Sequence, residues 1–272
     1  MGWSSWHAYG CKSCTSISNT QCLTEGSIKD VVNTMSDDGF TKAGYEFIIL
    51  DDGWQANDRN GVHLQPNSQR FPSGMIYLAD FIHSKNMKLG LFSDLGPTSG
   101  CGLPGTAEHF IEDAETFAHW GVDYVKMSAY TAEALAMDEG DALANWSTLL
   151  GIMNKYAKLQ NRLTEVVREN KGAWNDADLL VVGHRGVTLD QCRAQMAVWS
   201  IMPSPLIFSK HPRSLTAEQR ALLKNEAVIK VNQDELGLPG ERFAQEAPSQ
   251  REITAHLPLK ATAVIVITSV DG

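Results

Sequence analysis

Acidic side chains follow apolar runs at several points of this chain. Asp51 and Asp52 come directly after the apolar run of YEFIILDD, and Asp94 ends the run MKLGLFSD. Functional side chains of parallel α/β barrels lie at the carboxyl ends of the strands, which is where these acids would fall. Fixed carboxylates accept hydrogen bonds from neighbouring hydroxyl groups, so the spacing predicts a site for a sugar or another polyol. One acid alone at such a position would be as consistent with a helix cap or a turn.

The same placement recurs further along the chain. Lys126 lies in VDYVKMS, and Asp176 and Asp178 lie in WNDADLL. Four tryptophans occur close to these charged residues in the sequence: Trp3, Trp6, Trp54 and Trp174. An aromatic face can stack on the CH face of a sugar ring, and packing at the rim of a barrel is the alternative. The repetition of charged strand ends favours a shared sugar site over several unrelated caps.

Short apolar runs alternate with helical patterns, which is typical of βα units around a parallel sheet. Strands are predicted in YEFIILDD, MKLGLFSD, VDYVKMS and PLIFS, and the first two, together with YVKM of the third, are expected to be buried. Helices are predicted in GSIKDVVNTMSDDG, MIYLADFIHSKN, FIEDAETFAHWG, LDQCRAQMAVWSIM and AEQRALLKNEAVIKVN. The first of these helices places its apolar residues on one face and is expected to end at Gly39. The predicted fold class is therefore α/β, a parallel (β/α) barrel.

The pattern changes after Leu238. RFAQ, REITAHLP and TAVIVITSV alternate in the manner of antiparallel strands. We therefore expect a barrel domain over residues 1–238 and the start of a small antiparallel β domain over residues 239–272. Three strands are few for a stable sandwich, so we expect this second domain to be truncated.

The composition excludes some classes of partner. The net charge of −9 is spread along the 272 residues, which disfavours nucleic acid and anionic membrane surfaces and fits a neutral ligand. No apolar run approaches the ~20 residues of a membrane span. MGWSSWHAY has neither the basic start nor the apolar core of a signal peptide.

The five cysteines are Cys11, Cys14, Cys22, Cys101 and Cys192. Cys14 and Cys22 could close a small loop, and the odd count leaves at least one thiol unpaired or bonded to another chain. This cysteine usage favours a secretory origin. No histidine lies at ligand spacing from the N-terminal cluster, so we expect no zinc site there, and the sequence indicates no metal or cofactor.

Several long motifs occur in a fixed order: MGWSSW, YEFIILDDGW, RFPSGMIYLADFIHSKNMKLGLFSDLG, TFAHWGVDYVK, GAWNDADLLVVG, AQMAVWSIMPSPLIFS and VNQDELG. Together they resemble the α-galactosidase and α-N-acetylgalactosaminidase family of retaining glycosidases, glycoside hydrolase family 27. The resemblance covers nearly the whole chain apart from its middle. It implies a (β/α)8 barrel of the TIM type followed by an antiparallel β domain, in agreement with the predicted elements.

The resemblance also implies roles for individual residues. Trp3, Asp51 and Asp52 would line a galactose pocket, with the two acids binding the 4- and 6-hydroxyls. The remaining pocket residues would be Phe92 and Cys101 on the wall, Lys126 on the ring hydroxyls, and Asp178 with Leu179 on the side of strand 7. Such enzymes work by double displacement between two carboxyl groups ~5 Å apart.

The position of the nucleophile departs from the family pattern. The family's nucleophilic aspartate stands in a K-x-D motif, whereas this chain reads Lys126-Met127-Ser128. A serine attacks only when a base activates it, so the departure implies impaired catalysis. The acid/base residue would be Asp141 in GDALANWS, and the arginine usually found four positions earlier is Met137.

The cysteines and the middle of the chain depart as well. Tyr130 replaces the family partner of Cys101, and Gly53 replaces the family partner of Cys11, whereas the Cys14–Cys22 bridge can still form. Between strand 4 and NWSTLLGIM, relatives carry roughly two βα units, for which this chain has AYTAEALAMDEGDALA. One or two central units, including strand 5, are therefore expected to be missing.

Three hypotheses stay open. The chain is a retaining hydrolase of terminal α-D-galactosides with impaired catalysis, a non-catalytic module that binds galactosides or another protein, or an incomplete gene product without a stable fold. The expected partner is an α-galactoside or oligosaccharide, not nucleic acid or membrane, and the chain is expected to be a monomer or a homodimer. The resemblance implies a secreted, lysosomal or vacuolar location.

Overall fold

The computed structural model of the chain describes residues 1–11, 22–128, 145–169, 172–246, 250–256 and 262–268. The chain divides into two compact units. The first comprises Met1–Glu139 with Ser209–Ser214, and the second comprises Gly140–Phe208 with Leu215–Gly272. The acids that follow YEFIIL and the lysine of VDYVKMS all belong to the first unit.

The first unit is organised around four parallel strands in the order β4-β3-β2-β1. They are β1 (Gly2–Ser4), β2 (Phe47–Leu50), β3 (Lys88–Asp94) and β4 (Tyr124–Ser128). β2 is entirely apolar, as expected for a strand covered on both faces. The register places Ile48 beside Trp3 and Leu89, and Phe92 beside Lys126. The carboxyl ends of β2, β3 and β4 therefore meet at one edge of the sheet and bring the predicted site residues together.

A glycine keeps the centre of this sheet closely packed. Gly90 of β3 lies beside Ile49 of β2 and Tyr124 of β4 in the register. A Cβ atom at Gly90 would lie 2.9 Å from Cγ1 of Ile49 and 3.1 Å from Cδ1 of Tyr124. Because both distances are shorter than ordinary carbon contacts, a larger residue here would push the neighbouring strands apart.

The described residues of the first unit also contain a 3₁₀ turn at Pro212–Ser214 and four helices: α1 (Trp6–Tyr9), α2 (Glu25–Asp37), α3 (Gly74–His83) and α4 (Phe110–His119). α2 begins with a capping box, in which the side chains of Thr24 and Ser27 each bond the other residue's backbone N–H. Its buried apolar residues are Ile28, Val31, Val32 and Met35. The structure confirms the predicted helix, which ends before Gly39.

A buried ion pair fixes the segments that follow β2 and β3. Arg59 donates to the carboxylate of Asp113 from both terminal nitrogens, at 2.7 Å each. The same guanidinium donates to the carbonyl oxygens of Val62 and Gly105. The Arg59 and Asp113 side chains are 12% and 2% exposed, so the pair is largely removed from water. It ties the segment after β2 and the loop after β3 to α4.

β4 differs from the buried strand that the sequence predicts. Tyr124, Val125 and Met127 are 38%, 38% and 41% exposed. Because successive side chains of a strand point to opposite faces, the exposure affects both faces of β4. Within the described first unit, β4 pairs with β3 alone and forms the edge of the sheet. The prediction of burial was wrong because an apolar run indicates a strand but not whether neighbouring elements cover it.

The second unit contains four described helices and a short strand. They are α5 (Trp146–Glu169), α6 (Leu189–Ile201), β5 (Ile207–Phe208), α7 (Ala217–Leu223) and α8 (Glu226–Asn232). α6 begins with a capping box between Thr188 and Gln191. Leu180 forms a parallel bridge with Phe208, so the stretch after WNDAD runs beside β5. The sequence predicts one helix or a helix pair in AEQRALLKNEAVIKVN, and the structure has a pair, whose second helix is capped by Asn225.

The last three strands form an antiparallel sheet in the order β6-β7-β8. They are β6 (Glu241–Glu246), β7 (Gln250–His256) and β8 (Thr262–Thr268). The register of β7 and β8 is continuous, whereas that of β6 and β7 shifts between Glu241 and Ala244. The structure confirms the predicted alternation after Leu238. The domain boundary at residues 238 and 239 and the truncation of the β domain stay predictions.

Removing the buried ion pair is expected to destabilise the first unit. Arg59→Ala should lower the free energy of unfolding by about 3 kcal/mol, because it leaves the buried Asp113 carboxylate without its cation. Urea unfolding followed by tryptophan fluorescence measures the loss. Arg193→Ala is the matched control: its partner Asp190 and Arg193 itself are 67% and 56% exposed, so its effect should stay below about 1 kcal/mol. Equal losses in both variants would contradict the role of Arg59.

The open edge of β4 can be tested with one substitution at two positions. Met35→Ala should cost about 2–5 kcal/mol of unfolding free energy, because Met35 is fully buried in α2. Met127→Ala should cost less than about 1 kcal/mol, because Met127 is 41% exposed. The same urea titrations compare them. A loss at Met127 as large as that at Met35 would mean that β4 is covered in solution.

Candidate functional site

Asp51 follows β2 directly and links three strand ends. Its Oδ2 accepts hydrogen bonds from Ser4 Oγ at 3.1 Å and from Lys126 Nζ at 2.8 Å. Its Oδ1 accepts one from the N–H of Asp52, and its own N–H donates to Ser5 Oγ. Asp51 is 2% exposed, so these donors replace most of the water that would otherwise solvate its charge. The arrangement orients the carboxylate rigidly at the end of the sheet.

Asp52 faces the loop that follows β3. Its Oδ1 accepts a hydrogen bond from Ser99 Oγ at 2.8 Å, and its Oδ2 accepts one from the N–H of Cys101 at 2.7 Å. Burial raises the pKa of Asp52, and the N–H of Cys101 and the hydroxyl of Ser99 oppose that rise, while the nearby charge of Asp51 adds to it. A carboxylate has about four lone-pair sites, so Asp52 retains acceptor capacity for a ligand hydroxyl.

Lys126 reaches across β3 to Asp51. Phe92 lies beside Lys126 in the register, and the ammonium nitrogen is 5.9 Å from the centroid of the Phe92 ring. The Lys126 side chain is 34% exposed, whereas Phe92 is nearly buried. Lys126 is therefore the most solvent-exposed of these three residues, and its ammonium group offers hydrogen-bond donors beside the acceptors of Asp51.

Two of the tryptophans near the acids are fully buried. Trp3 donates its indole N–H to the carbonyl oxygen of Lys210 at 3.1 Å and packs edge-on against Tyr9. Trp54 donates to the carbonyl oxygen of Phe92 at 2.8 Å, and its ring contacts Phe117 and Trp120. Trp54 therefore fills the core, which is the packing alternative to sugar stacking. The place of Trp3 in a galactose pocket stays a prediction.

Ser128 ends β4 and shares a face with Lys126, because the two are separated by one residue of a strand. It lies beside Asp94 in the register, and its carbonyl oxygen accepts the N–H of Leu95 at 2.7 Å. Asp94 is fully buried, and its Oδ1 accepts the N–H of Gly96 at 2.7 Å. The position that the resemblance assigns to the nucleophile thus holds an alcohol next to a buried carboxylate.

Cys11 and Cys101 form a disulfide with each other. Each lacks the partner that the family pattern implies, and no pattern in the sequence predicts that the two pair with each other. The bond joins the segment after α1 to the loop after β3, close to the N–H that Cys101 donates to Asp52. Cys22 is also disulfide-bonded, and its predicted partner, Cys14, lies outside the described residues.

Asp178 and Leu179 belong to the second unit. Asp178 has a φ of 74°, which is uncommon for a residue with a side chain. Its N–H donates to Asp176 Oδ1, and its carbonyl oxygen accepts the indole N–H of Trp199. The N–H of Leu179 donates to Asp178 Oδ1 at 2.7 Å. Such strained turns occur at ligand sites, and the role of both residues in a sugar pocket stays a prediction.

Three other residues of the sequence argument, Tyr130, Met137 and Asp141, lie outside the described residues. Sequence reasoning also missed residues that the structure places at the site, namely Ser4, Ser5 and Ser99. The signal for them is weak, because small hydroxyl residues are common in turns of every kind. Within the described part of the chain, none of the helices has the length and apolar character needed to cross a membrane.

Parallel strands with intervening helices, and a pair of carboxylates held at the carboxyl ends of those strands, are typical of an α/β-barrel protein. A family model described as alpha galactosidase A matches residues 1–141 and 137–234. The chain belongs to this family of α-galactosidases and α-N-acetylgalactosaminidases, which are glycoside hydrolases with the TIM-barrel fold.

Relatives support this placement in both sequence and structure. Human α-N-acetylgalactosaminidase is 30% identical over 314 residues, which cover 97% of this chain and 76% of the relative. Alpha-galactosidase A of Cellvibrio japonicus is 32% identical over 300 residues, which cover 90% of this chain and 70% of the relative. α-Galactosidase I of Mortierella vinacea shares the fold with a TM-score of 0.87 at 24% identity, over 98% of this chain and 80% of that one.

The alignments also reveal a gap in this chain. The alignment with the human protein spans 314 positions, whereas 97% of 272 residues is about 264 residues, so about 50 positions of the relative have no counterpart here. The two stretches that the family model matches meet at residues 137–141. This break lies shortly after β4, where the sequence predicts the loss of central βα units.

The ion pair between Lys126 and Asp51 is expected to contribute to stability. Lys126→Met should lower the free energy of unfolding by about 2 kcal/mol, because Asp51 would lose its cation while remaining buried. Lys88→Met is the matched control, since Lys88 and its partner Glu46 are each 49% exposed, and its effect should stay below about 1 kcal/mol. Urea unfolding at neutral pH measures both. If Lys126→Met leaves the free energy of unfolding unchanged, water solvates Asp51 in solution.

Proposed function

We propose that this chain binds terminal α-galactosyl groups at Asp51 and Asp52 and that its hydrolytic activity is strongly impaired. The observation that carries the proposal is the combination of two oriented carboxylates with a serine, Ser128, where the family resemblance places the nucleophile. The ligand class follows from the names of the relatives and from the α-galactosidase of Saccharomyces cerevisiae, whose structure contains raffinose.

The geometry of the acids supports binding. Ser4 and Lys126 orient Asp51, and Ser99 with the N–H of Cys101 orients Asp52. Because these donors fix the carboxylates before a ligand arrives, little conformational entropy is lost when they accept hydrogen bonds from sugar hydroxyls. Adjacent hydroxyls of one ring, such as the 4- and 6-hydroxyls, match two adjacent acceptors. Lys126 would donate to another hydroxyl from the side of β4.

The chemistry of Ser128 supports impairment. Retaining hydrolysis requires a carboxylate that attacks the anomeric carbon and a second carboxyl group about 5–5.5 Å away. A hydroxyl at the first position is uncharged at neutral pH and needs a base to become a nucleophile. Its neighbour in the register, Asp94, is fully buried and accepts a backbone hydrogen bond, which makes it poorly placed to attack a sugar. Asp141 would be the acid/base residue.

The other pocket residues complete the proposal. Trp3, Phe92 and Cys101 would form the wall around the two acids, and the family resemblance assigns Asp178 and Leu179 to sugar binding. The second candidate function is a purely non-catalytic galactoside-binding protein, which the same serine favours. By family resemblance we also propose a secreted, lysosomal or vacuolar location and a monomeric or homodimeric state.

Binding is tested by calorimetry with galactose and its 4-epimer glucose. The wild-type chain should bind galactose more tightly than glucose, because the direction of the 4-hydroxyl decides whether it reaches the acids. Asp52→Asn should weaken galactose binding about tenfold or more, since a hydrogen bond to a charged group contributes roughly 1.5–3 kcal/mol. Asp190→Asn, an exposed position of α6, is the matched control. Equal affinities for both sugars would contradict the pocket.

Catalysis is tested with an aryl α-galactoside. Ser128→Asp should raise the hydrolysis rate at least a hundredfold over the wild-type chain, because it supplies the missing attacking group. Ser128→Asn introduces a side chain with nearly the same shape as aspartate but without its charge. It should leave the hydrolysis rate at that of the wild-type chain. Wild-type turnover equal to that of Ser128→Asp would refute the impairment. If Ser128→Asp binds galactose but gains no activity, the purely binding function is favoured.

A further inference from the structure

The disulfide between Cys11 and Cys101 lies beside one of the two site carboxylates. The sulfur atoms of both cysteines and a carboxylate oxygen of Asp52 all lie within 4.8 Å of one another. Cys11 is exposed and Cys101 is half-buried, so solvent and small reductants reach the bond. Two sulfurs and a carboxylate oxygen in one place form a donor set of the kind that binds zinc.

We propose that reduction converts Cys11, Cys101 and Asp52 into a binding site for a thiophilic divalent cation such as Zn²⁺. The sequence argues against zinc because no histidine lies near the N-terminal cysteines. The fold removes that objection, because it brings Asp52 from the end of β2 and Cys101 from the loop after β3 to the same place. Three protein ligands leave the fourth tetrahedral position to water.

The distances suit this exchange. Zinc–sulfur bonds of about 2.3 Å and zinc–oxygen bonds of about 2.0–2.2 Å place neighbouring tetrahedral ligand atoms about 3.5–3.8 Å apart. The three ligand atoms already lie within 4.8 Å of one another, so movements of about 1 Å suffice. The bond itself shows that the two sulfur atoms can meet without rearrangement of either backbone segment.

Hydrogen bonds around Asp52 prepare it for this role. Ser99 Oγ donates to Oδ1 at 2.8 Å, and the N–H of Cys101 donates to Oδ2 at 2.7 Å. Donors of this kind orient ligating carboxylates at metal sites, and their removal commonly lowers metal affinity by 10–100-fold. Each oxygen keeps a second lone pair for the cation.

The chemical steps balance with an external reductant. A phosphine or dithiol supplies two electrons and, together with solvent, two protons, and the sulfur–sulfur bond breaks to give two thiols. Zn²⁺ then displaces both thiol protons to solvent as two zinc–sulfur bonds form, and the Asp52 carboxylate adds a third bond. Removal of zinc and mild oxidation restore the disulfide.

A consequence for sugar binding rests on the proposed function. Asp52 is one of the two acids proposed to accept galactose hydroxyls, so a cation held by Asp52 takes an acceptor away from the sugar. Zinc and galactose should therefore compete for binding to the reduced chain, whereas zinc should not change the affinity of the oxidised chain for galactose. The disulfide would keep the carboxylate available to the sugar under oxidising conditions.

The metal site is tested with Co²⁺ as a spectroscopic substitute for Zn²⁺. After reduction with a phosphine and its removal without oxygen, the wild-type chain should bind one Co²⁺ with thiolate-to-cobalt absorption in the near ultraviolet, and Zn²⁺ should displace it. Cys11→Ser and Cys101→Ser should each lose most of this absorption. Asp52→Asn should weaken Co²⁺ binding at least tenfold. Cys192→Ser is the control, because Cys192 is a free, buried cysteine in the second unit.

The outcomes separate the metal site from the proposed function. If the reduced wild-type chain binds no more Co²⁺ than the Cys11→Ser/Cys101→Ser double variant, the metal site is refuted. If reduction lowers the Tm of the chain, Zn²⁺ should raise that Tm again. A Tm of the reduced chain that does not change when Zn²⁺ is added also refutes the site. Galactose titrations of the reduced chain should show at least tenfold weaker affinity with saturating Zn²⁺. A chain that binds Co²⁺ but no galactose would refute the proposed function and leave the metal site standing.

Discussion

The burial of the Asp51 carboxylate is the constraint on which the first unit depends. A charge with so little access to water is tolerated only where donors surround it. Those donors are the hydroxyl of Ser4 at the end of β1, the N–H of Asp52 in the next position and the ammonium group of Lys126 in β4. The three strands must therefore end at the same level. The register of the parallel sheet, the buried apolar side chains of its strands and the close packing at Gly90 together keep the three strand ends aligned.

The open edge at β4 shows that donors from neighbouring strands are enough to stabilise the buried Asp51 carboxylate. The chain has lost about 50 positions relative to the human relative, and the break in the family match lies shortly after β4. The pairing of β4 with β3 nevertheless keeps Lys126 within 2.8 Å of Asp51. The exposure of β4 falls on Tyr124, Val125 and Met127, which lie on both faces of the strand. The acid pair is thus held in place by contacts among β2, β3 and β4 themselves.

Sequence reasoning predicted the elements well because they obey local rules. The apolar run of β2, the capped amphipathic helix α2 and the alternation in β7 and β8 each identify an element without knowledge of its neighbours. It failed where the outcome depends on neighbours far along the chain. Burial of β4, packing of Trp54 and the pairing of Cys11 with Cys101 are all of this kind. The acids at the strand ends were found because barrel topology converts a local pattern into a shared location.

The backbone conformation at Gly53 affects which disulfide bond Cys11 can form. Its φ of 104° suits glycine, and a residue with a side chain would be strained there. The family resemblance implies a cysteine at this position as the partner of Cys11, which is here already bonded to Cys101. The substitution Gly53→Cys alone would place a side chain on a strained backbone conformation. The new cysteine would also have to compete with Cys101 for the sulfur of Cys11. Forming the bridge of the family pattern would therefore require a second change that releases Cys11 from Cys101, in addition to a cysteine at position 53.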